Sequence, residues 1–106
     1  MKGDLDDQSV EMLYSAFLQL ETADECRAFL EDLCTITELR SLAQRLDVAG
    51  LLQKCHTYSE ISEQTGASTA TISRVNRSLI YGAGGYPLIL ERLTAAGDKD
   101  DNGTIK

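Results

Sequence analysis

One stretch, residues 57–80, constrains the fold most, because TYSEISEQTGASTATISRVNRSLI predicts two short helices joined by a tight turn. Thr57 can cap the first helix, and Glu60, three residues later, can complete a capping box. Gly66 marks the turn, since glycine readily adopts the positive φ that such a turn requires. Ser68 can cap the second helix by accepting a hydrogen bond from a main-chain N–H. The stretch therefore predicts a helix-turn-helix.

The second of these helices has two different faces. Ile72, Val75 and Leu79 are spaced three and four residues apart and form the predicted buried stripe. The opposite face has small hydroxyl side chains, an alanine and two arginines, and no acidic residue occurs from Ser68 to Leu90. Phosphates would repel acids, and small side chains let a helix lie close to base edges in the major groove. The residues expected to contact DNA are Ser68, Thr69, Ala70, Thr71, Ser73, Arg74 and Arg77.

The net charge of −7 is unusual for a chain that binds DNA, so the distribution of the charges matters. Residues 1–34 hold two basic and nine acidic groups, residues 35–81 hold five and four, and residues 82–106 hold three and four. The acidity therefore lies away from the predicted recognition helix. The small positive excess in the central segment predicts weak non-specific binding and dependence on two recognition helices.

Four further helices are predicted on either side of the helix-turn-helix, and no strand pattern occurs. A first helix capped by Asp7 or Asp6 runs to about Leu20, and capping boxes at Thr22 and Thr35 begin two more. These run to about Cys34 and Gln53, and a last helix extends from about Pro87 to Gly97. The sequence thus predicts an all-α domain of six helices at residues 1–97, with its helix-turn-helix at about 57–81. Residues 98–106 are expected to form a disordered polar tail.

The first three helices have more apolar surface than one small chain can cover. A chain of roughly 90 ordered residues buries only about two thirds of the surface that its unfolded form exposes. A two-fold dimer would cover the excess and place two recognition helices about 34 Å apart, which is one turn of DNA. The alternative is a self-contained monomer of six helices.

The sequence does not support other classes of site. Cys26, Cys34 and Cys55 are too irregularly spaced for a disulfide framework or a zinc site, and we expect them to be buried small hydrophobic residues. No nucleophile, base or metal-binding set can be assembled around His56, the single histidine, so we expect neither an enzyme nor a metal protein. The glycines of residues 82–85 are interpreted as a turn that ends a helix. The acidic start and the lack of long apolar runs predict a cytoplasmic protein with no membrane partner.

The chain also resembles a known family, most specifically in TGASTATISRVNRSL at residues 65–79, and more broadly over about residues 8–95. It is similar to the Trp repressor superfamily, in particular to the YerC/YecD-type group of uncharacterised Trp-repressor-like proteins of Firmicutes. The resemblance implies an intertwined helical homodimer, with N-terminal helices swapped around each other and a helix-turn-helix on each flank. It implies a regulator of transcription, of the repressor kind, that binds duplex DNA. The family's base-contacting positions fall on Thr69, Ala70 and Ser73.

The resemblance further implies a pocket for a small co-ligand. In Trp repressor, tryptophan lies between the long third helix and the recognition helix, where one arginine from each sandwiches the indole and binds the carboxylate. The recognition-helix arginine matches Arg74, and a nearby serine matches Ser78, but the long-helix position is Gln44. Its neighbour Arg45 would point elsewhere, because one residue turns a helix by about 100°. We therefore expect no cofactor, or a small amino-acid-like co-ligand other than tryptophan, at Gln44, Arg74 and Ser78.

Two functions from different classes remain open on the sequence. The first is a homodimeric DNA-binding regulator of transcription. The second is a helical interaction protein that keeps the same fold and binds another protein through its acidic N-terminal helices. Arg74 has three interpretations in this context, as a ligand contact, a phosphate contact or an ordinary surface charge.

Overall fold

The computed structural model describes residues 7–101, with the side chains of residues 7–97. Over these residues the chain forms six helices and no strand, which confirms the predicted all-α fold. The helices are α1 (Gln8–Leu18), α2 (Ala23–Leu33), α3 (Ile36–Gln53), α4 (Tyr58–Thr65), α5 (Thr69–Tyr81) and α6 (Gly85–Asp101). The chain divides into two compact units, residues 1–39 and residues 40–106.

The described part of the first unit consists of short capped helices with few buried side chains. Asp7 caps α1, as its carboxylate accepts a hydrogen bond of 2.9 Å from the N–H of Ser9. The rings of Phe17 and Phe29 meet edge to face, with their centroids 5.4 Å apart. No residue of α1 or α2 is buried, and Leu18 is 83% exposed. The apolar stripes predicted for these helices therefore exist, but this chain alone leaves them largely open to solvent.

The two capping boxes predicted in this unit differ in outcome. At the start of α3, Glu38 Oε1 accepts a hydrogen bond of 2.8 Å from the N–H of Thr35, and Thr35 Oγ1 accepts one of 3.0 Å from the N–H of Glu38. At the start of α2, Thr22 caps the N–H of Glu25 as predicted. The Glu25 carboxylate, however, accepts from the N–H of Glu21, one residue before the expected partner. Both arrangements satisfy donors that a helix start leaves unpaired.

The second unit contains the hydrophobic core. Its fully buried residues come from the C-terminal half of α3 and from the helix-turn-helix: Val48, Ala49, Ile61, Ala67, Ile72 and Val75. Leu51, Leu52, Tyr86 and Leu90 pack around them. Helix α5 packs against both α4 and α6. The helix-turn-helix is thus built directly on the core, which gives its outward side chains a rigid support.

Helix α6 extends further than the sequence predicted. The turn before it forms as expected, since α5 ends at the capping residue Gly82 and Gly84 has a φ of 90°. At the other end the helix passes through Gly97 and reaches Asp101, so the predicted end at Gly97 is wrong. A glycine inside a helix costs only about 1 kcal/mol relative to alanine, and the preceding Ala95 and Ala96 favour the helix. Of the predicted tail, residues 102–106 lie outside the described residues.

Cys55 is exposed, and the prediction that it would be a buried hydrophobic residue is wrong, whereas Cys26 and Cys34 are half-buried. The reason is its position just after α3, where it adopts a left-handed φ of 67°. Its N–H donates to Leu52 O at 2.9 Å, and the N–H of the next residue, His56, donates to Leu51 O at 3.1 Å. This pair of bonds is a Schellman motif, whose left-handed position is usually a glycine.

We expect Cys55→Gly to raise the free energy of unfolding by about 0.5–1 kcal/mol. A left-handed conformation costs a residue with a Cβ roughly 1–2 kcal/mol, and the greater freedom of glycine in the unfolded chain offsets part of the gain. Urea titration at fixed protein concentration measures the change. Cys55→Ala, which removes the thiol but keeps the Cβ, is the control and should give no gain. A less stable Cys55→Gly would mean that residue 55 is not left-handed.

Candidate nucleic-acid interface

Helix α4 begins with the capping box that the sequence predicts. The N–H of Thr57 donates to Glu60 Oε1 at 2.9 Å, and the N–H of Glu60 donates to Thr57 Oγ1 at 3.1 Å. The bond from the Thr57 N–H lowers the pKa of the Glu60 carboxyl, partial desolvation opposes this, and the charge of nearby His56 lowers the pKa further. Because its pKa is lowered in the folded state, the ionised Glu60 carboxylate stabilises the fold at neutral pH. This stabilisation is lost as the pH falls through the folded-state pKa.

The turn between the two helices is closed by glycine and threonine. Gly66 adopts a φ of 77°, and its N–H donates to Ser62 O at 2.8 Å. The hydroxyl of Thr65, just before it, donates to Ile61 O at 2.7 Å and accepts from the N–H of Ala67 at 3.1 Å. These bonds confirm the predicted turn and fix the point at which α5 begins.

Helix α5 exposes the face that the sequence assigned to DNA. Ser68 caps it by accepting a hydrogen bond of 3.1 Å from the N–H of Thr71, while Ile72 and Val75 lie in the core. Thr71 is half-buried, and its hydroxyl lies 3.2 Å from that of Ser68. Thr71 is therefore part of the cap. The other predicted contact residues are all exposed: Ser68, Thr69, Ala70, Ser73, Arg74 and Arg77.

The exposed face of α5 is positively charged. Arg74 and Arg77 lie on a helix without acidic residues, and in the described part of the chain the only ion pairs join Arg27 to Asp24 and His56 to Glu60. Within the described side chains, both guanidinium groups are consequently available to an anionic partner. Small hydroxyl and methyl groups lie one turn from them, as close approach to base edges requires.

The three residues predicted for a co-ligand pocket have separate surroundings. Gln44 Nε2 donates a hydrogen bond of 3.1 Å to Thr65 O. Ser78 lines an open groove of about 440 Å³ together with Leu46 and Tyr86, and neither Gln44 nor Arg74 lines that groove. A co-ligand site formed by all three therefore stays a prediction. Sequence reasoning missed Thr65, although a threonine directly before a turn glycine was a visible signal.

Other kinds of site find no support in the described residues. Residues 7–97 contain no group of three or more side chains arranged to hold a metal ion. Nor does any helix in the described part of the chain have the length and apolar character needed to cross a membrane. The exposed face of α5 is thus the feature on which a functional argument can rest.

The chain is similar to known proteins over most of its length. A family model described as Trp repressor protein matches residues 8–94. The uncharacterized protein YerC of Bacillus subtilis is 49% identical over 86 residues, which cover 81% of this chain and 83% of YerC. The family match thus covers α1 to α5, with the whole helix-turn-helix, and the first part of α6.

Two solved structures have the same fold. The crystal structure of a TrpR-like protein from Eubacterium eligens matches with a TM-score of 0.83 and 54% sequence identity, over 87% of this chain and 95% of that one. The crystal structure of a proposed Trp repressor from Staphylococcus aureus matches with a TM-score of 0.82 and 46% identity, over 87% and 92% of the two chains. Both confirm the six-helix fold that the sequence predicted.

Proposed function

Because this chain belongs to the Trp repressor family, we propose that it is a homodimeric regulator of transcription that binds specific sequences of duplex DNA and represses the adjacent gene. The observation that carries the proposal is the exposed face of α5, where two arginines that have no ion pair within residues 7–97 adjoin small hydroxyl side chains. The family is a regulatory DNA-binding one rather than an enzymatic one. On this proposal the protein acts in the cytoplasm, together with the DNA it binds.

The homodimer is supported by the apolar side chains that one chain leaves exposed. Leu18, Met12 and Ile36 are 83%, 72% and 71% exposed, and helices α1 and α2 contain no buried residue. Apolar surface of this extent is normally covered by a partner, and a second copy has the same surface to cover. The exposed acidic residues of α1 and α2 can then remain in water at the edges of the interface.

An unbiased selection of bound DNA fragments tests the proposal. A two-fold dimer should select a sequence with two inverted half-sites whose centres are about 10 base pairs apart, because its recognition helices must enter successive major grooves. Recovery of fragments without any common sequence would contradict specific binding. It would favour the alternative function, a helical module that binds another protein through its acidic N-terminal helices.

We expect tryptophan not to bind near micromolar concentration. Gln44 replaces the cationic partner that the family pocket implies, and an amide lacks the charge that makes an arginine contact to a carboxylate strong. Its Nε2 is also already bonded to Thr65 O. Titration calorimetry measures the affinity, with Gln44→Arg as the comparison variant. Micromolar binding to the wild type would mean that Arg45 reaches the pocket.

A further inference from the structure

Gln44 connects α3 to the end of the first helix of the helix-turn-helix. Its Nε2 donates to the main-chain oxygen of Thr65 at 3.1 Å, and the bond is partly buried. Thr65 is the last residue of α4, and the final four carbonyls of a helix have no partner within that helix. Gln44 therefore satisfies an acceptor that α4 leaves open, and it does so from 21 residues away in the sequence.

Thr65 links this bond to the start of the recognition helix. Its hydroxyl bonds to Ile61 O on one side and to the Ala67 N–H on the other. Ile61 and Ala67 are both buried in the core, and Ser68, the cap of α5, follows directly. A shift of the Thr65 carbonyl would thus be transmitted within three residues to the beginning of α5.

We infer that Gln44 is a positioning residue for DNA binding, whose bond to Thr65 sets the recognition helix against α3 without any small-molecule co-ligand. The inference rests on the proposed function. A partly buried acceptor that loses its partner is costly, so the turn moves when the donor is removed. Because the Gln44 side chain itself joins α3 to the helix-turn-helix, the dimer binds DNA without a co-ligand.

The test compares Gln44→Met, which has similar size and no donor, with Gln53→Met, the same change at an exposed position of α3. Each protein is dialysed free of small molecules and titrated onto the selected duplex and onto a scrambled duplex. We expect wild type to bind the selected duplex, and Gln44→Met to bind it about tenfold more weakly. Binding of Gln44→Met to the scrambled duplex, and of Gln53→Met to both duplexes, should change less than about twofold.

A second variant, Gln44→Glu, keeps a polar side chain in case Gln44→Met folds poorly. At neutral pH its carboxylate can only accept hydrogen bonds, whereas the protonated carboxyl can donate to Thr65 O. Its loss of specific affinity relative to wild type at the same pH should therefore shrink as the pH falls from about 7 toward 4, where a glutamate becomes largely protonated. A loss that stays constant over this range would count against the bond.

Three results would overturn the inference. Gln44→Met could bind the selected duplex as tightly as wild type, or it could lose affinity for both duplexes equally, as a merely structural role predicts. Alternatively, wild type could bind the selected duplex only after a mixture of the twenty amino acids is added, in which case the proposed function would stand and this inference would fall. A wild type that binds no duplex in any condition would contradict the proposed function as well.

Discussion

Replacing Leu18 with lysine is expected to dissociate the homodimer at micromolar concentration. In the single chain this side chain is 83% exposed, so the substitution should cost the isolated protomer almost nothing. A lysine near the C-terminal end of α1 even suits the helix dipole. In a dimer that covers this face, however, an unpaired charge would be buried, at a cost of roughly 3 kcal/mol or more in each protomer. Because both protomers carry the change, the dissociation constant should rise more than about ten-thousandfold.

Light scattering at several dilutions measures this effect. Wild type should have twice the chain mass of 11.6 kDa at micromolar concentration, and Leu18→Lys should have the mass of one chain. Gln19→Lys adds the same charge at the neighbouring exposed position and should leave the dimer intact. A wild-type mass of one chain at every dilution would contradict the dimer and, with it, the pairing of two recognition helices.

Replacing Arg77 with alanine is expected to weaken binding to every DNA sequence alike. Arg77 is exposed near the middle of α5, two turns from the helix start, and its long cationic side chain is suited to a phosphate contact. Loss of one phosphate contact reduces the slope of log K against log salt by roughly one unit for each recognition helix. Titrations on selected and scrambled duplexes at several salt concentrations measure both affinity and slope.

Ser73→Ala is the matched control on the same exposed face. Its hydroxyl can donate or accept at a base edge, so its loss should relax discrimination at one base pair in each half-site, by about 1 kcal/mol, and leave the salt slope unchanged. If Arg77→Ala changes neither the affinity nor the slope, this face of α5 does not contact DNA in the way we propose.

The sequence predicted the features of the fold that depend on local chemistry. The caps at Asp7, Thr35, Thr57 and Ser68 form because each side-chain oxygen needs only an N–H two or three residues away. Gly66 adopts its positive φ because the turn leaves no alternative without strain. The buried stripe of α5 follows in the same way from helical spacing. These signals all lie within a few residues of the structure that they determine.

Features that depend on contacts far along the chain, or on small differences in energy, could not be predicted. The bond from Gln44 to Thr65 joins positions 21 residues apart, and no local pattern indicates it. The left-handed Cys55 is held by two bonds at the end of α3 that outweigh its conformational cost. Gly97 was predicted to end α6, yet its penalty is too small to stop a helix supported by alanines.

Binding of purified wild-type protein to the selected and the scrambled duplex, measured over a range of salt concentrations, tests the central claim most directly. Our proposal predicts binding of one dimer per selected duplex, an affinity for it at least about a thousandfold higher than for the scrambled duplex, and a steep decline with salt. Equal affinity for both duplexes, or binding that salt does not weaken, would contradict a sequence-specific regulator that reads DNA through α5.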